Sequence, residues 1–79
     1  MKTVFITGCA NGIGRCLTET LYTKGYQVVG TDIEILPLLE AVEGIWKPEQ
    51  YLIEPMDVTN TRDWDFVMGL AVRRFGQIF

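Results

Sequence analysis

Thr7-Gly8-Cys9-Ala10-Asn11-Gly12-Ile13-Gly14 is the stretch from which the fold is read. It follows Lys2-Thr3-Val4-Phe5-Ile6, a short apolar run of the kind that forms a strand buried on both faces in a parallel sheet. Glycines at such a junction serve three ends: one permits the tight turn, one lets the backbone approach a pyrophosphate, and one lets the following helix pack closely on the strand. The helix start offers unpaired N–H groups and the positive end of its dipole to phosphates. Glycines alone also fit a plain strand-to-helix turn. Here they follow a strand, open a helix, and have Asp32 at the end of the next apolar run, the context that a dinucleotide site requires. No Gly-Lys-Ser/Thr follows, which excludes a Walker A loop, and a nucleotide turn of the methyltransferase type matches less well.

The rest of the chain alternates in the same way. Ile13, Cys16, Leu17, Thr20 and Leu21 recur at helical spacing and predict a buried face, with Arg15, Thr18, Glu19 and Tyr22 on other faces. Gly25 is a natural stop, and Tyr26 to Thr31 reads as a second strand ending at Asp32. A further helical stripe, Ile35, Leu38, Leu39 and Val42, closes at Gly44, with Pro37 in its first turn. Ile45 to Gln50 reads as a loop, and Tyr51 to Glu54 as a third strand ended by Pro55. Asn60 can cap a third helix whose stripe is Trp64, Val67, Met68, Ala71, Val72 and Phe75, and Gly76 ends it. Gln77-Ile78-Phe79 then opens a new apolar segment. The expected fold class is therefore α/β: a Rossmann-type three-layer parallel sheet, β-α-β-α-β-α plus the start of a fourth strand, truncated there. Residues 1–79 read as one unit without repeats or linkers.

Composition narrows the function. Of the 79 residues, 48% are hydrophobic and 22% charged, as in soluble globular chains rather than disordered ones. No apolar run approaches the ~18 residues of a membrane span, and the N-terminus does not resemble a signal peptide, so a cytoplasmic location is expected. A net charge of −3 argues against a nucleic-acid partner. The chain has no histidine and no serine. It therefore cannot build a Ser-His-Asp triad, a Cys-His pair or a histidine-ligated metal site by itself. Cys9 and Cys16 fit neither a C-x-x-C motif nor a zinc knuckle and read as small buried hydrophobes.

Asp32 has a specific place in the nucleotide reading. A carboxylate there accepts hydrogen bonds from both hydroxyls of the adenosine ribose and repels a 2′-phosphate. Ile33, Glu34 and Ile35 follow it, so no nearby cation compensates, and NAD is expected in preference to NADP. The alternative is that Asp32 caps the next helix. Arg15 reads either as a phosphate contact or as a solvated surface residue.

Together these segments resemble the short-chain dehydrogenase/reductase family in its classical branch. Thr7-Gly8-x-x-x-Gly12-Ile13-Gly14 matches the TGxxxGIG turn, and Thr31-Asp32-Ile33 resembles the end of the second strand in NAD-preferring members. Asp57-Val58-Thr59 matches the DVT segment, and Phe75-Gly76-Gln77-Ile78 resembles the FGxID that leads into the fourth strand. The resemblance implies that Gly8, Gly12 and Gly14, with the backbone of Asn11 and Ile13, cradle the pyrophosphate and adjacent ribose. It implies that Asp32 holds the adenosine ribose while Ile33 flanks the adenine. Asp57 is then expected to bond the adenine amino group, and Val58 to cover the adenine face. The residues alone leave Asp57 open as a turn aspartate and Val58 as a core residue.

The family's catalytic serine, YxxxK pair and asparagine have no counterpart in these residues, so no catalytic residue is assigned and hydride transfer by this chain alone is not expected. Weak NAD binding, biased toward the ADP half, is the expectation. Lacking a fourth strand, the first becomes a sheet edge, which predicts self-association by strand pairing or by exchange of the Gln77 to Phe79 end. Three readings follow: the cofactor-binding N-terminal part of a dehydrogenase, a stand-alone nucleotide-binding module, and a structural dimer that binds nothing.

Overall fold

The computed structural model describes residues 2–76. Three parallel strands, β1 (Thr3–Thr7), β2 (Gln27–Asp32) and β3 (Tyr51–Pro55), form a sheet in the order β1-β2-β3. Helices α1 (Gly12–Thr23) and α2 (Leu36–Val42) follow the first two strands, a 3-10 turn (Pro48–Gln50) leads into β3, and α3 (Thr61–Phe75) follows it. The expected α/β order and parallel pairing are present. The expected start of a fourth strand lies outside the described residues.

The sheet is covered on both faces, which makes the three layers. On one face Ile6, Val28 and Ile53 pack with Leu38 and Val42 of α2, and Leu21 and Tyr22 of α1 close over them. On the other, Val29 and Leu52 pack with Val67 and Ala71 of α3, flanked by Phe5, Trp64 and Phe75. Successive strand residues alternate between these layers, as the pleat requires. Tyr22 stacks on Trp46 at 4.0 Å between ring centroids, which seals the loop before the 3-10 turn against α1.

Two expectations about helix faces need correction. On α1, Ile13 is 89% exposed and Leu17 47%, and Cys16 and Thr20 are exposed too, so of the expected stripe only Leu21 reaches the core. The face turned to the sheet carries Gly14, Thr18, Leu21 and Tyr22. The reason is steric. Gly14 brings the helix against the turn, and Thr18 is fully buried with its hydroxyl donating to the Gly14 carbonyl at 2.7 Å. That close seat fixes the rotation of the helix and leaves the larger side chains outside. On α3, Val67 and Ala71 are buried as expected, but Met68 and Val72 are exposed. Cys9 is buried as expected; Cys16, on the outer face of α1, is not.

Candidate functional site

Parallel pairing brings the C-terminal ends of all three strands to one side of the molecule. Thr7 is opposite Thr31, and Asp32 is opposite Pro55, so the segments that leave the strands emerge side by side. A cleft of about 320 Å³ opens between them, lined by Thr7, Gly8, Asp32, Ile33, Met56 and Val58. A neighbouring hollow of about 330 Å³ is lined by Ile33, Pro55, Met56, Asp57 and Asp63.

The glycine turn has the geometry its residues suggest. Gly8 and Gly12 have φ of +68° and +56°, conformations that a side chain disfavours. A Cβ on Gly14 would collide with the Gly8 carbonyl, so no other residue fits there without displacing the turn. The first backbone bond of α1 runs from Arg15 N–H to the Asn11 carbonyl at 3.2 Å, and the Asn11 side chain makes no capping bond. The N–H groups of Gly12, Ile13 and Gly14 therefore have no acceptor within the helix and stand at its positive end. This cradle fits an anion.

Two backbone donors pin the turn to β2. Cys9 N–H donates to the Thr31 carbonyl at 3.0 Å, and Ala10 N–H donates to Asp32 Oδ2 at 3.2 Å. Cys9 itself is fully buried against Gly30, where an added Cβ would come within 3.0 Å of its sulfur. Burial, followed by the nearby Asp32 charge, pushes the Cys9 thiol up to about 11. It is a packing residue, not a nucleophile.

Asp32 Oδ1 also accepts from Glu34 N–H at 3.3 Å, whereas the residue capping α2 is Ile35, so Asp32 does not cap that helix. An ionised carboxylate has about four acceptor positions. With two backbone donors engaged, Asp32 keeps acceptor capacity at the edge of the cleft. Arg15 lies within 3.8 Å of Glu19 across one helical turn, a pair of a half-buried cation and an exposed carboxylate that fits the surface reading of Arg15.

Asp57 and Val58 leave β3 through a tight turn. The Thr59 hydroxyl and N–H both donate to Asp57 Oδ1, at 2.7 and 2.9 Å, and hold its carboxyl below the usual carboxylate range. The turn role weighed for Asp57 is thus present, with Oδ2 left over. Val58 is 52% exposed and faces the cleft, which removes the core reading. Gly8, Asp32, Ile33 and Val58 therefore share one cleft, Asp57 borders the adjoining hollow, and Asn11, Gly12, Ile13 and Gly14 form the helix start beside them. Sequence reasoning did not single out Thr7 and Met56 as cleft walls or Ala10 as a donor. Ala10 acts through its backbone, for which no residue type is a signal.

A family model described as short chain dehydrogenase matches residues 2–79. The chain belongs to the short-chain dehydrogenase family. Diacetyl reductase [(S)-acetoin forming] of Staphylococcus epidermidis is 34% identical over 98% of this chain. Among solved structures, a glucose/ribitol dehydrogenase of the family from Brucella melitensis superposes with a TM-score of 0.89 at 30% identity over 98% of this chain. A family member from Caenorhabditis elegans, solved with cofactor, superposes with a TM-score of 0.85 at 30% identity, again over 98%. The chain spans about 30% of the length of the curated relatives it matches, and of these two solved chains 31% and 30%. The family match runs through the glycine turn, all three strands and the Asp57-Val58-Thr59 segment. Among the described residues, no helix is long and apolar enough to cross a membrane.

Proposed function

We propose that residues 1–79 are the cofactor-holding N-terminal part of an NAD-dependent short-chain dehydrogenase, and that they bind the ADP half of the dinucleotide without carrying out hydride transfer themselves. The observation that carries this reading is the Asp32 carboxylate, bonded to the glycine turn through Ala10 N–H and lining the same cleft as Gly8, Ile33 and Val58. A dinucleotide laid along these residues directs its pyrophosphate to the N–H groups of Gly12, Ile13 and Gly14. Its adenosine ribose meets Asp32, and its adenine lies between Ile33 and Val58 with Asp57 at the amino group. When bound, the nicotinamide of NAD accepts or gives a hydride; these residues contain no serine and no tyrosine with lysine four places on to move the accompanying proton.

A 2′-phosphate beside Asp32 meets a carboxylate with no lysine or arginine in the three residues that follow, which favours NAD. Titration calorimetry with NAD, NADP and ADP-ribose tests this. NAD and ADP-ribose are expected to bind alike and NADP about tenfold or more weakly. Asp32→Ala is expected to cost about tenfold in NAD affinity, on the scale of hydrogen bonds to a charged group. Equal affinity for NAD and NADP, or no loss in the variant, overturns the assignment. A second reading, a non-catalytic self-associating module, is favoured by one observation: among the described residues β1 has a neighbouring strand on one side only.

A further inference from the structure

The adenine end of the cleft is held by a residue that is not itself on its wall. Trp64, in the first turn of α3, donates its indole N–H to the Val58 carbonyl at 2.7 Å. Its ring stacks on Phe5 of β1, with centroids 5.4 Å apart and planes 21° from parallel. The neighbouring Asp63 accepts from Asp57 N–H at 3.0 Å. Consecutive residues of one helix turn thus grip consecutive residues of the segment that faces the nucleotide. The grip differs in kind at the two points. Asp63 fixes the entry of the segment, whereas Trp64 holds the peptide after Val58, inside a turn that Thr59 and Asn60 close by donating to Asp57. Stacking on Phe5 anchors the indole to the central layer, so the N–H has little freedom to follow a displaced carbonyl.

We propose that Trp64 is a positioning residue for adenine recognition: through the Val58 carbonyl it sets where Val58 and Asp57 stand against the base. This rests on the proposed nucleotide reading, and the test separates the two. The carbonyl that Trp64 holds is in an exposed segment, so water can replace the indole N–H with little loss of folded structure, while the orientation is lost.

The experiment compares NAD with its hypoxanthine analogue, which lacks the adenine 6-amino group, by calorimetry on the wild-type chain and on Trp64→Phe. Phenylalanine retains an aromatic partner for Phe5 and removes the donor together with one ring of the indole, a packing loss that falls on both ligands alike. The wild type is expected to prefer NAD. Trp64→Phe is expected to bind NAD about three- to tenfold more weakly, the range for one net hydrogen bond, and to lose most of its preference between the two bases. A merely structural role would weaken both ligands by the same factor, and an unchanged ratio overturns the proposal. So does a wild type that binds both bases equally, even where NAD is preferred to NADP and the nucleotide reading stands. Absence of NAD binding by the wild type overturns both. Should Trp64→Phe fail to fold, a chain synthesised with a benzothiophene side chain at position 64 keeps the bicyclic shape without the N–H, and the same ratio decides.

Discussion

At the scale of single residues, the site depends on atoms that are missing as much as on those present. Gly14 lies against the Gly8 carbonyl, and Gly30 leaves room for the Cys9 sulfur. Cys9 fills that space, and its thiol is pushed up to about 11 from an ordinary 9.0, first by burial and then by the Asp32 charge. The consequence for stability has a definite sign. Between these two values the unfolded chain has released a proton that the folded chain still holds, so rising pH favours unfolding. The contribution is fully present below pH 9.0 and is lost as pH rises toward about 11. Thermal unfolding of the wild type is therefore expected to fall more steeply across that interval than that of Cys9→Ala, whose remaining titrating groups are the same. Parallel curves for the two proteins would refute a raised Cys9 pKa.

At the scale of elements, α3 and α1 show what the sequence does and does not disclose. The start of α3 is written in one residue. Asn60 Oδ1 accepts from the N–H groups of Arg62 and Asp63 at 2.9 and 3.3 Å, and the side-chain amide is a residue type suited to that position. Asn60→Ala is expected to cost about 1 kcal/mol of stability, and Asn60→Asp much less. Urea unfolding measures both, and an alanine variant as stable as wild type would show the cap to be idle. The glycine turn was legible for a similar reason, because positive φ at Gly8 and Gly12 and the contact at Gly14 admit essentially one residue type. The rotation of α1 was not legible. Its seat is made by a glycine and by Thr18, whose hydroxyl is satisfied within the helix, and neither is marked as apolar by its type. Ile13 and Leu17 carry that mark and stand outside. The grip of Trp64 on Val58 escaped for a different reason: a backbone carbonyl has no sequence signature, and the Trp64 ring fitted a buried helix stripe just as well.

At the scale of the whole molecule, the parallel order that assembles the cleft also leaves a surface with unmet capacity. β2 is paired on both sides, while β1 has one neighbour among the described residues. Backbone donors and acceptors along the outer side of such a strand are a template for another chain. Val4, Phe5 and Ile6 give that strand a β-prone character with no charge or proline to discourage pairing. Exposed apolar side chains on the flanking layers, Ile13 and Leu17 of α1 and Met68 and Val72 of α3, add surface that association can bury. Opposing this is a net charge of −3, a modest repulsion that salt screens over about 10 Å at 0.1 M. Short-range burial and strand pairing should therefore prevail, and the chain is expected to self-associate at micromolar concentration, more strongly as salt is raised. Light scattering reads the mass directly. The Lys2 carbonyl accepts from Gln27 N–H, so along β1 the N–H of Val4 is turned to β2 and that of Phe5 outward. A chain synthesised with N-methylated Phe5 removes an outward donor and keeps the side chain, so it should shift the population toward monomer if the edge is the contact. A wild-type mass that stays at 9.0 kDa across that range and in high salt would refute strand pairing as a driving contact.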